Sequence, residues 1–492
     1  MTFHRRWLSL VVALFLATPS AFAGDSESTP VSPWAVPPEG CAPPGGLRAA
    51  LSEDAPASLP FTTGDIIQYG AADVLSGFIP ALIWAHRERF FYEGMRLEIG
   101  PCFRDYSPPE FYRAATERFA GEVKLREDGG LEGYVAGRPF PDGAIDPRAT
   151  DAGLRWAWNA AQRYQGAGFS GMFRVTDLLG RIGRAEPFIG RIFKYDLMHR
   201  ADRPDDDYAM SFARGNQWVA GGRFDQPFDA REYAWRQYRA QESLWEPERS
   251  DDLHAYLPTW RRVRRINTRD VDGLYMPSFS VGVVQNQQLL VGGGVGGGGA
   301  GGAGVESSTI QTKRSGFEGL AGRPLLYEYR VLGLHDVLAP INVENPMYPE
   351  NPNREFGPWG LSFANDRWDL RRALVLEGVL KGTPGQRGQS RVVTYLDLQT
   401  LQPLYLLSYD ATGEAIDIGA FAGRWSEDRA DYPRWPDDPE RPVRVIDSVA
   451  EAFANLAEEG SWRRESWSIV SVPPPDQELR NLNSVSNLTK GH

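Results

Sequence analysis

The stretch "RVVTYLDLQTLQPLYLLSYD" (residues 391–410) is the clearest indication of the fold class. It contains two segments, 391–398 and 403–410, that are rich in β-branched, aromatic and leucine residues, and the polar residues "QTLQ" join them. Two such segments around a short polar connection are typical of an antiparallel hairpin. The stretch therefore predicts two neighbouring strands of an antiparallel sheet.

Segments of the same composition occur along most of the chain. Because many strands follow one another with few long helices between them, we predict a mainly β (α+β) fold built on one large antiparallel sheet. The other segments are "GLEGYVAG" (130–137), "RPLLYEYRVLG" (323–333), "RRALVLEGVLK" (371–381) and "RRESWSIVSV" (463–472).

Three short segments have helical periodicity. In "SPPEFYRAATERFAG" (107–121), Phe111, Ala115 and Phe119 recur every four residues, which indicates one apolar face. The segments "TDAGLRWAWNAAQRYQG" (150–166) and "DSVAEAFANLAEEG" (447–460) have the same character. We expect three short, one-sided helices that lie on the sheet.

The N-terminus resembles an export signal. Basic residues precede an apolar run at 7–17, and Ala21-Phe22-Ala23 supplies a small-x-small cleavage pattern before Gly24. The run is shorter than the roughly 20 residues that span a membrane, and we expect no transmembrane segment in the mature chain. The first cysteine is Cys41, so no cysteine follows the cleavage site directly and no lipid anchor is expected. These features predict a periplasmic protein.

Composition divides the remaining chain into regions. The mature chain is predicted to have a flexible Pro-, Gly- and Ser-rich leader, one folded domain with a glycine-rich loop insertion ("GGGVGGGGAGGAG"), and a flexible tail. The regions are the signal peptide 1–23, the leader 24–60, the domain 61–472, the insertion 292–304 and the tail 473–492.

Charge and cysteine content limit the possible partners. The formal net charge is −11, which repels phosphate backbones and disfavours nucleic acid as a partner. The two cysteines, Cys41 and Cys102, could form a disulfide in an oxidising compartment, or they could be unrelated thiols. The sequence alone leaves both possibilities open.

No catalytic or metal-binding motif is recognisable. The histidines lack the spacing of a zinc site, so no metal or other cofactor is expected. The segment "GLSFA" (360–364) lacks the final glycine of a serine-hydrolase elbow, which disfavours Ser362 as a nucleophile. Carboxylates brought together only by the fold stay possible, because 64 acidic residues are present.

Six motifs in order resemble one family of exported bacterial proteins, the domain of unknown function 1329 family. They are "RDYSPPEFYRAAT" (104–116), "GYVAGRPFP" (133–141), "YLPTWRRVRR" (256–265), "YEYRVLGLHDVLAPIN" (327–342), "RWDLRRALVLEGVLK" (367–381) and "TYLDLQTLQPLYLLSYDATGE" (394–414). The resemblance implies a fold similar to the lipoprotein carriers LolA and LolB. That fold is a curved, incompletely closed antiparallel β-barrel with short helices plugging its concave face around an apolar cavity. The resemblance to this family identifies no catalytic residue in this chain.

The resemblance suggests candidate ligand-binding residues. Phe111, Phe119, Trp156 and Trp158 on the first two helices are candidates for the cavity wall, although ordinary core packing also explains them. The resemblance places "RRVRR" (261–265) on a strand, with Arg262 and Arg264 on one face. These arginines either protect a sheet edge from aggregation or attract an anionic head group at the cavity mouth.

The leading hypothesis is a periplasmic carrier or chaperone for an amphipathic or lipid-like ligand, linked to outer-membrane transport. One alternative is an envelope interaction or assembly factor that binds an outer-membrane or transporter protein and holds no ligand. A second is a hydrolase acting on envelope lipid or glycan.

Overall fold

The computed structural model describes residues 36, 59–178, 186–258, 261–266, 273–275, 323–382, 389–457 and 460–490. The predicted signal peptide, the glycine-rich insertion 292–304, Cys41 and nearly all of the predicted leader lie outside these residues. The division of the chain into those regions therefore stays a prediction.

β-Strands make up most of the regular structure. They are β1 (Ile66–Ile67), β2 (Leu97–Cys102), β3 (Lys124–Leu125), β4 (Leu131–Glu132), β5 (Gln165–Leu178), β6 (Glu186–Asp196), β7 (Asn216–Gln226), β8 (Ala234–Ala240), β9 (Asp252–Leu257), β10 (Arg262–Ile266), β11 (Tyr327–Ala339), β12 (Arg367–Leu380), β13 (Gln389–Asp397), β14 (Pro403–Asp410), β15 (Ala415–Trp425), β16 (Ile446–Asn455) and β17 (Trp462–Val470).

The helices are short. The α-helices are α1 (Ala81–Ala85), α2 (Glu110–Phe119), α3 (Ala152–Ala161) and α4 (Asp476–Leu482). The 3-10 turns are Tyr69–Phe78, Arg87–Arg89, Asp142–Ala144, Pro204–Asp206, Phe228–Ala230, Gln241–Leu244, Pro324–Leu326, Ser426–Asp428 and Val485–Lys490. Within the described residues, no helix is both long enough and apolar enough to cross a membrane.

Fifteen strands form one sheet in the order β1-β2-β12-β13-β14-β15-β16-β17-β5-β6-β7-β8-β9-β10, with β11 also pairing with β12. Two antiparallel meanders, β12 to β17 and β5 to β10, are joined where β17 pairs with β5. The one parallel pair in the described part of the sheet is β2 with β12. β1 and β10, the two end strands of this sheet, are not paired with each other. The predicted mainly β fold with an incompletely closed sheet is thus confirmed, and the sheet is mixed and not purely antiparallel.

Several local predictions are confirmed. β13 and β14 form the hairpin, with Tyr395 opposite Tyr405. The first two predicted helices are α2 and α3, and α3 packs over β11 to β13 through Trp156, Ala157 and Ala160. "RRVRR" contributes β10, which pairs antiparallel with β9. The apolar face predicted for α2 is used in packing, since Ala115 and Phe119 are buried.

The third predicted helix, at 447–460, is wrong. Residues Ile446–Asn455 form β16, which pairs with β15 and β17, and all ten residues are buried. A strand covered on both faces needs no alternation of polar and apolar residues, so its alanine-rich sequence is also compatible with helical spacing. Pairing with two neighbouring strands decides the outcome.

The described part of the predicted tail, up to Lys490, contains regular structure. α4 and the turn Val485–Lys490 pack against the sheet, and Leu479 and Leu488 are buried. The Arg236 side chain donates a hydrogen bond to the Leu482 carbonyl, and Tyr238 donates one to that of Asn483. Buried leucines and these hydrogen bonds thus connect the segment to the sheet.

Candidate functional site

A cavity of about 60 Å³ lies where α2 and the end of α3 meet the ends of strands β6, β7 and β8. Aromatic rings form much of its wall. The aromatic lining residues are Phe111, Tyr112, Tyr134, Trp158, Tyr164 and Trp218.

The local sequence explains how α3 reaches this position. Gly153 brings the helix against the backbone of β11, where a Cβ would lie 2.6 Å from the carbonyl oxygen of Tyr329. The opposite end of the helix places Trp158 and Ala161 at the cavity. The Trp158 indole donates a hydrogen bond to the Gly129 carbonyl at 3.0 Å, which fixes the ring. The wall is therefore built on a rigid element.

The strand side of the cavity presents charge around one indole. Trp218 on β7 lies opposite Asp196 of β6 and Arg239 of β8 in the sheet register. The Lys194 amine lies 5.6 Å from the Trp218 ring centroid, and the Arg239 guanidinium lies 4.7 Å from it. Cations at this distance are attracted to the ring face. Trp218 thus holds two cationic side chains at the site.

Two buried ion pairs stabilise the frame. Arg200 donates to both carboxylate oxygens of Asp202 at 2.7 and 2.6 Å, and Arg239 binds Asp251 at 3.0 and 2.9 Å. Lys194 is nearly buried; its amine lies 3.2 Å from Gln165 Oε1 and 3.6 Å from Asp196 Oδ1. The bidentate pairs fix the two guanidinium groups, and the lysine is held by one neutral and one charged oxygen.

His199 lines the same cavity on the segment after β6. Its ring stacks on Tyr134 with centroids 4.6 Å apart, and its Nδ1 lies 2.9 Å from the Val135 carbonyl oxygen. Burial lowers the pKa of His199, although the Val135 carbonyl and Asp196 act in the opposite direction. The imidazole is therefore neutral near pH 7.

A second cavity, of about 10 Å³, lies beside the first. The two cavities share Tyr112 and Tyr164, whose ring centroids are 5.2 Å apart. Tyr112 donates to the Gln162 carbonyl, and Tyr164 donates to that of Val443. This tyrosine pair forms the partition between the two spaces.

The structure brings two of the six candidate ligand-binding residues together. Phe111 and Trp158 both line the larger cavity. Phe119 packs edge-on against Tyr208, and Trp156 is fully buried beneath α3. These two side chains serve the core.

The remaining candidates lie elsewhere. Arg262 and Arg264 are exposed on β10 at one end of the sheet and do not line the cavity. Cys102 is buried at the end of β2, and Cys41 lies outside the described residues, so their pairing stays a prediction. Ser362 is buried, and its Oγ accepts a hydrogen bond from the Ala364 amide.

Lys194 and His199 were not selected from the sequence. A signal existed for Lys194, since it interrupts the apolar run of β6 in "RIFKYDL" and is nonetheless buried. His199 carries no comparable local signal because its partners, Tyr134 and Val135, are more than 60 residues away. Among the described residues, no group of three His, Cys, Asp or Glu side chains could hold a metal ion.

Comparison with solved structures finds distant similarities. A domain from Vibrio parahaemolyticus, described as an outer membrane lipoprotein-sorting protein domain, is 17% identical, with 70% of this chain and 100% of that chain covered and a TM-score of 0.38. A DUF1329 family protein from Desulfovibrio piger is 15% identical, with 66% of this chain and 93% of that chain covered and a TM-score of 0.36. A LolA superfamily protein from Nitrosomonas europaea is 8% identical, with 67% of this chain and 96% of that chain covered and a TM-score of 0.29.

Sequence comparison gives the assignment. No curated protein matches the chain. The profile of the family described as proteins of unknown function (DUF1329) matches residues 73–288 and 308–424, which leaves the glycine-rich run between its two segments. Since these segments cover more than half of the 492 residues and include all six sequence motifs, the chain belongs to the DUF1329 family.

Proposed function

We propose that this protein is a non-enzymatic periplasmic carrier that binds an amphipathic ligand and holds its anionic head group in the cavity between α2, α3 and β6 to β8. The observation that carries the proposal is the combination of aromatic and cationic side chains around this cavity. Ligand sites commonly combine apolar and aromatic walls with a few polar groups that orient the ligand.

The cavity differs in charge from the chain as a whole. Five cationic side chains and two carboxylates line it, whereas the chain carries a net charge of −11. Asp251, which pairs with Arg239, adds one more negative charge nearby. The described lining residues together with Asp251 therefore carry more positive than negative charges, which favours an anionic ligand group over a cationic or neutral one. The lining residues that carry charge are Arg163, Lys194, Asp196, Arg200, Asp202, Arg239 and Arg323.

The size of the cavity limits what it encloses. Pockets for drug-sized ligands usually measure about 300–1,000 Å³, and this one measures about 60 Å³. It suits a head group but does not enclose an acyl chain in this conformation. We propose that the acyl chain of the ligand extends out of the cavity past Phe111, or enters the second cavity when Tyr112 and Tyr164 rotate apart. Burial of the chain would contribute about 25 cal/mol for each Å² of apolar surface removed from water.

A cavity-filling variant tests the proposal. Ala161 lines the cavity, so Ala161→Phe should occupy part of it. We expect isothermal titration calorimetry of the mature wild-type protein with dodecyl phosphate below its micelle concentration to show saturable binding. Ala161→Phe should weaken that binding at least about tenfold, which corresponds to about 1.4 kcal/mol.

The matched control is Ala411→Phe, at an exposed position in the turn between β14 and β15. It should bind like the wild type, and melting temperatures would verify that both variants are folded. Absence of saturable binding to the wild type, or equal binding by Ala161→Phe, would contradict the proposal and favour a protein partner.

The head-group preference is tested by Lys194. We expect Lys194→Met to weaken dodecyl phosphate binding several-fold while leaving binding of an uncharged amphiphile, dodecyl maltoside, unchanged. Lys381→Met is the control, because Lys381 is exposed after β12 and does not line the cavity. Equal losses for both amphiphiles would assign Lys194 to packing and not to charge recognition.

A further inference from the structure

We propose that the head group of the ligand carries a hydroxyl next to its anionic group, and that Nε2 of His199 accepts the hydrogen bond of this hydroxyl. The inference rests on the proposed function, since it specifies the ligand of the same cavity. It begins from one atom: Nε2 is buried and has no hydrogen-bond partner among the described residues.

The hydrogen bond at Nδ1 determines the tautomer. A carbonyl oxygen can only accept, so the contact at 2.9 Å requires Nδ1 of His199 to donate its hydrogen to the Val135 carbonyl. Burial lowers the pKa of this imidazole, so the ring carries one proton near pH 7. Nε2 therefore has a lone pair and acts as an acceptor. A ligand group that forms a hydrogen bond with Nε2 must therefore be a donor such as O–H or N–H.

The surroundings hold the ring in this orientation. Tyr134 stacks on the imidazole, and the Tyr134 hydroxyl donates to the Gly137 carbonyl at 2.9 Å. His199 also has a φ of 63°, in the left-handed region that residues other than glycine seldom adopt. Backbone conformations of this kind cluster at ligand sites, where neighbouring structure maintains them. The acceptor is thus positioned before any ligand arrives.

The position of His199 connects the acceptor with the cationic side of the cavity. Lys194 at the end of β6 and His199 five residues later line the same small space, so one head group can reach both. A hydroxyl for Nε2 and an anionic group for Lys194 fit a short hydroxy acid. The ligand class that we infer is an amphiphile with a hydroxyl close to a carboxylate or phosphate, for example a 3-hydroxy fatty acid.

Two probes that differ by one hydroxyl test the inference on the full mature protein. We expect 3-hydroxytetradecanoate to bind about ten times more tightly than tetradecanoate in calorimetric titrations at pH 7.5, because only the first satisfies the buried acceptor. His199→Phe keeps a ring for stacking and removes both nitrogens. This variant should bind the two probes equally.

Controls separate recognition from folding. His335→Phe changes an exposed histidine on β11 outside the cavity and should keep the tenfold preference. If His199→Phe folds poorly, because Val135 loses its donor, His199→Gln provides a second variant with a displaced acceptor and should show a reduced preference. Near-ultraviolet circular dichroism would verify the fold of each variant.

Each outcome has a distinct meaning. Equal binding of the two probes by the wild type would overturn the hydroxyl inference and leave the carrier proposal standing. A preference that persists in folded His199→Phe would overturn the role of His199. If neither these acids nor dodecyl phosphate binds, the carrier proposal itself fails.

Discussion

Asp447 shows how one buried carboxylate responds to its surroundings. It accepts hydrogen bonds from Ser471 at 2.6 Å and Tyr432 at 3.1 Å, and Arg429 lies at 3.0 Å. Burial raises the pKa of Asp447 to about 6, even though these three partners favour the charged form. The pKa of Asp369, which accepts from Tyr106, is raised to about 6 for the same reason. Removing the carboxylate from water dominates at both positions.

The raised pKa of Asp447 predicts a pH-dependent contribution to stability. Because the folded-state pKa of about 6 exceeds the ordinary 3.8, the contribution is complete below pH 3.8 and is lost as the pH rises through 6. Asp447→Asn does not titrate. The free energy of unfolding of the wild type minus that of Asp447→Asn should therefore fall by roughly 2 kcal/mol between pH 4 and pH 7.

Urea denaturation of both proteins across this pH range measures the difference. Carboxylates common to both proteins cancel in the subtraction, so no correction for their titration is needed. A difference that stays constant, or that increases with pH, would show that burial does not dominate at Asp447.

Local spacing does not separate a ligand-binding side chain from a core side chain. Phe111, Phe119, Trp156 and Trp158 were all chosen from the family resemblance; Phe111 and Trp158 line the cavity, and their role in binding stays a prediction. Lys194, His199 and Tyr164 were not selected because the groups around them come from distant parts of the chain. Periodicity carries no information about such partners.

The contact between α3 and β11 depends on Gly153. An added Cβ would lie 2.6 Å from both the carbonyl carbon and oxygen of Tyr329, and 2.8 Å from the amide nitrogen of Arg330. Backbone atoms of β11, which is paired with β12 along its length, cannot move aside as a flexible side chain can. The helix therefore approaches the sheet this closely because residue 153 has no side chain.

We predict that Gly153→Ala destabilises the protein, although alanine is the better helix former by about 1 kcal/mol. Displacement of α3 should cost about 1–3 kcal/mol beyond that gain, as overpacking usually does. The displaced helix should also weaken ligand binding, because its far end carries Trp158 and Ala161. Urea midpoints and calorimetry measure the two effects.

The matched control is Gly121→Ala, just after α2, where an added Cβ meets no atom within 4 Å. It should leave stability within about 0.5 kcal/mol of the wild type. If Gly153→Ala proves as stable as this control, the close approach does not hold α3 in position.

α2 was predicted from its single apolar face, which the structure buries at Ala115 and Phe119. The hairpin of β13 and β14 was predicted from its β-branched and aromatic composition and its short polar connection, although the first six residues of β14 are all buried. β16 was mistaken for a helix because all ten of its residues are buried. α4 was missed because one buried leucine in a polar segment gives no detectable pattern.

At the scale of the whole molecule, the sheet joins segments that are distant in sequence. β17 near the C-terminus pairs with β5, and β2 pairs in parallel with β12. Local composition predicted the many antiparallel strands, whereas the incompletely closed arrangement was inferred from the family resemblance. Pairing between distant strands depends on register and burial along the entire sheet, which no single segment encodes.

This arrangement concentrates positive charge inside an acidic protein. The net charge of −11 is spread over the chain, whereas the strand ends of β6 and β8 bring Lys194 and Arg239 to one indole. The proposed function therefore places an anionic amphiphile in this cavity. We propose that the protein carries such a ligand.

Native mass spectrometry of the mature protein purified from its own envelope fraction, followed by solvent extraction, would detect such a ligand. We predict a bound species of defined mass that is released on extraction and identified as an anionic, hydroxylated amphiphile, and that is depleted in Ala161→Phe. A ligand-free mass that stays unchanged after incubation with envelope lipid extract would contradict the claim.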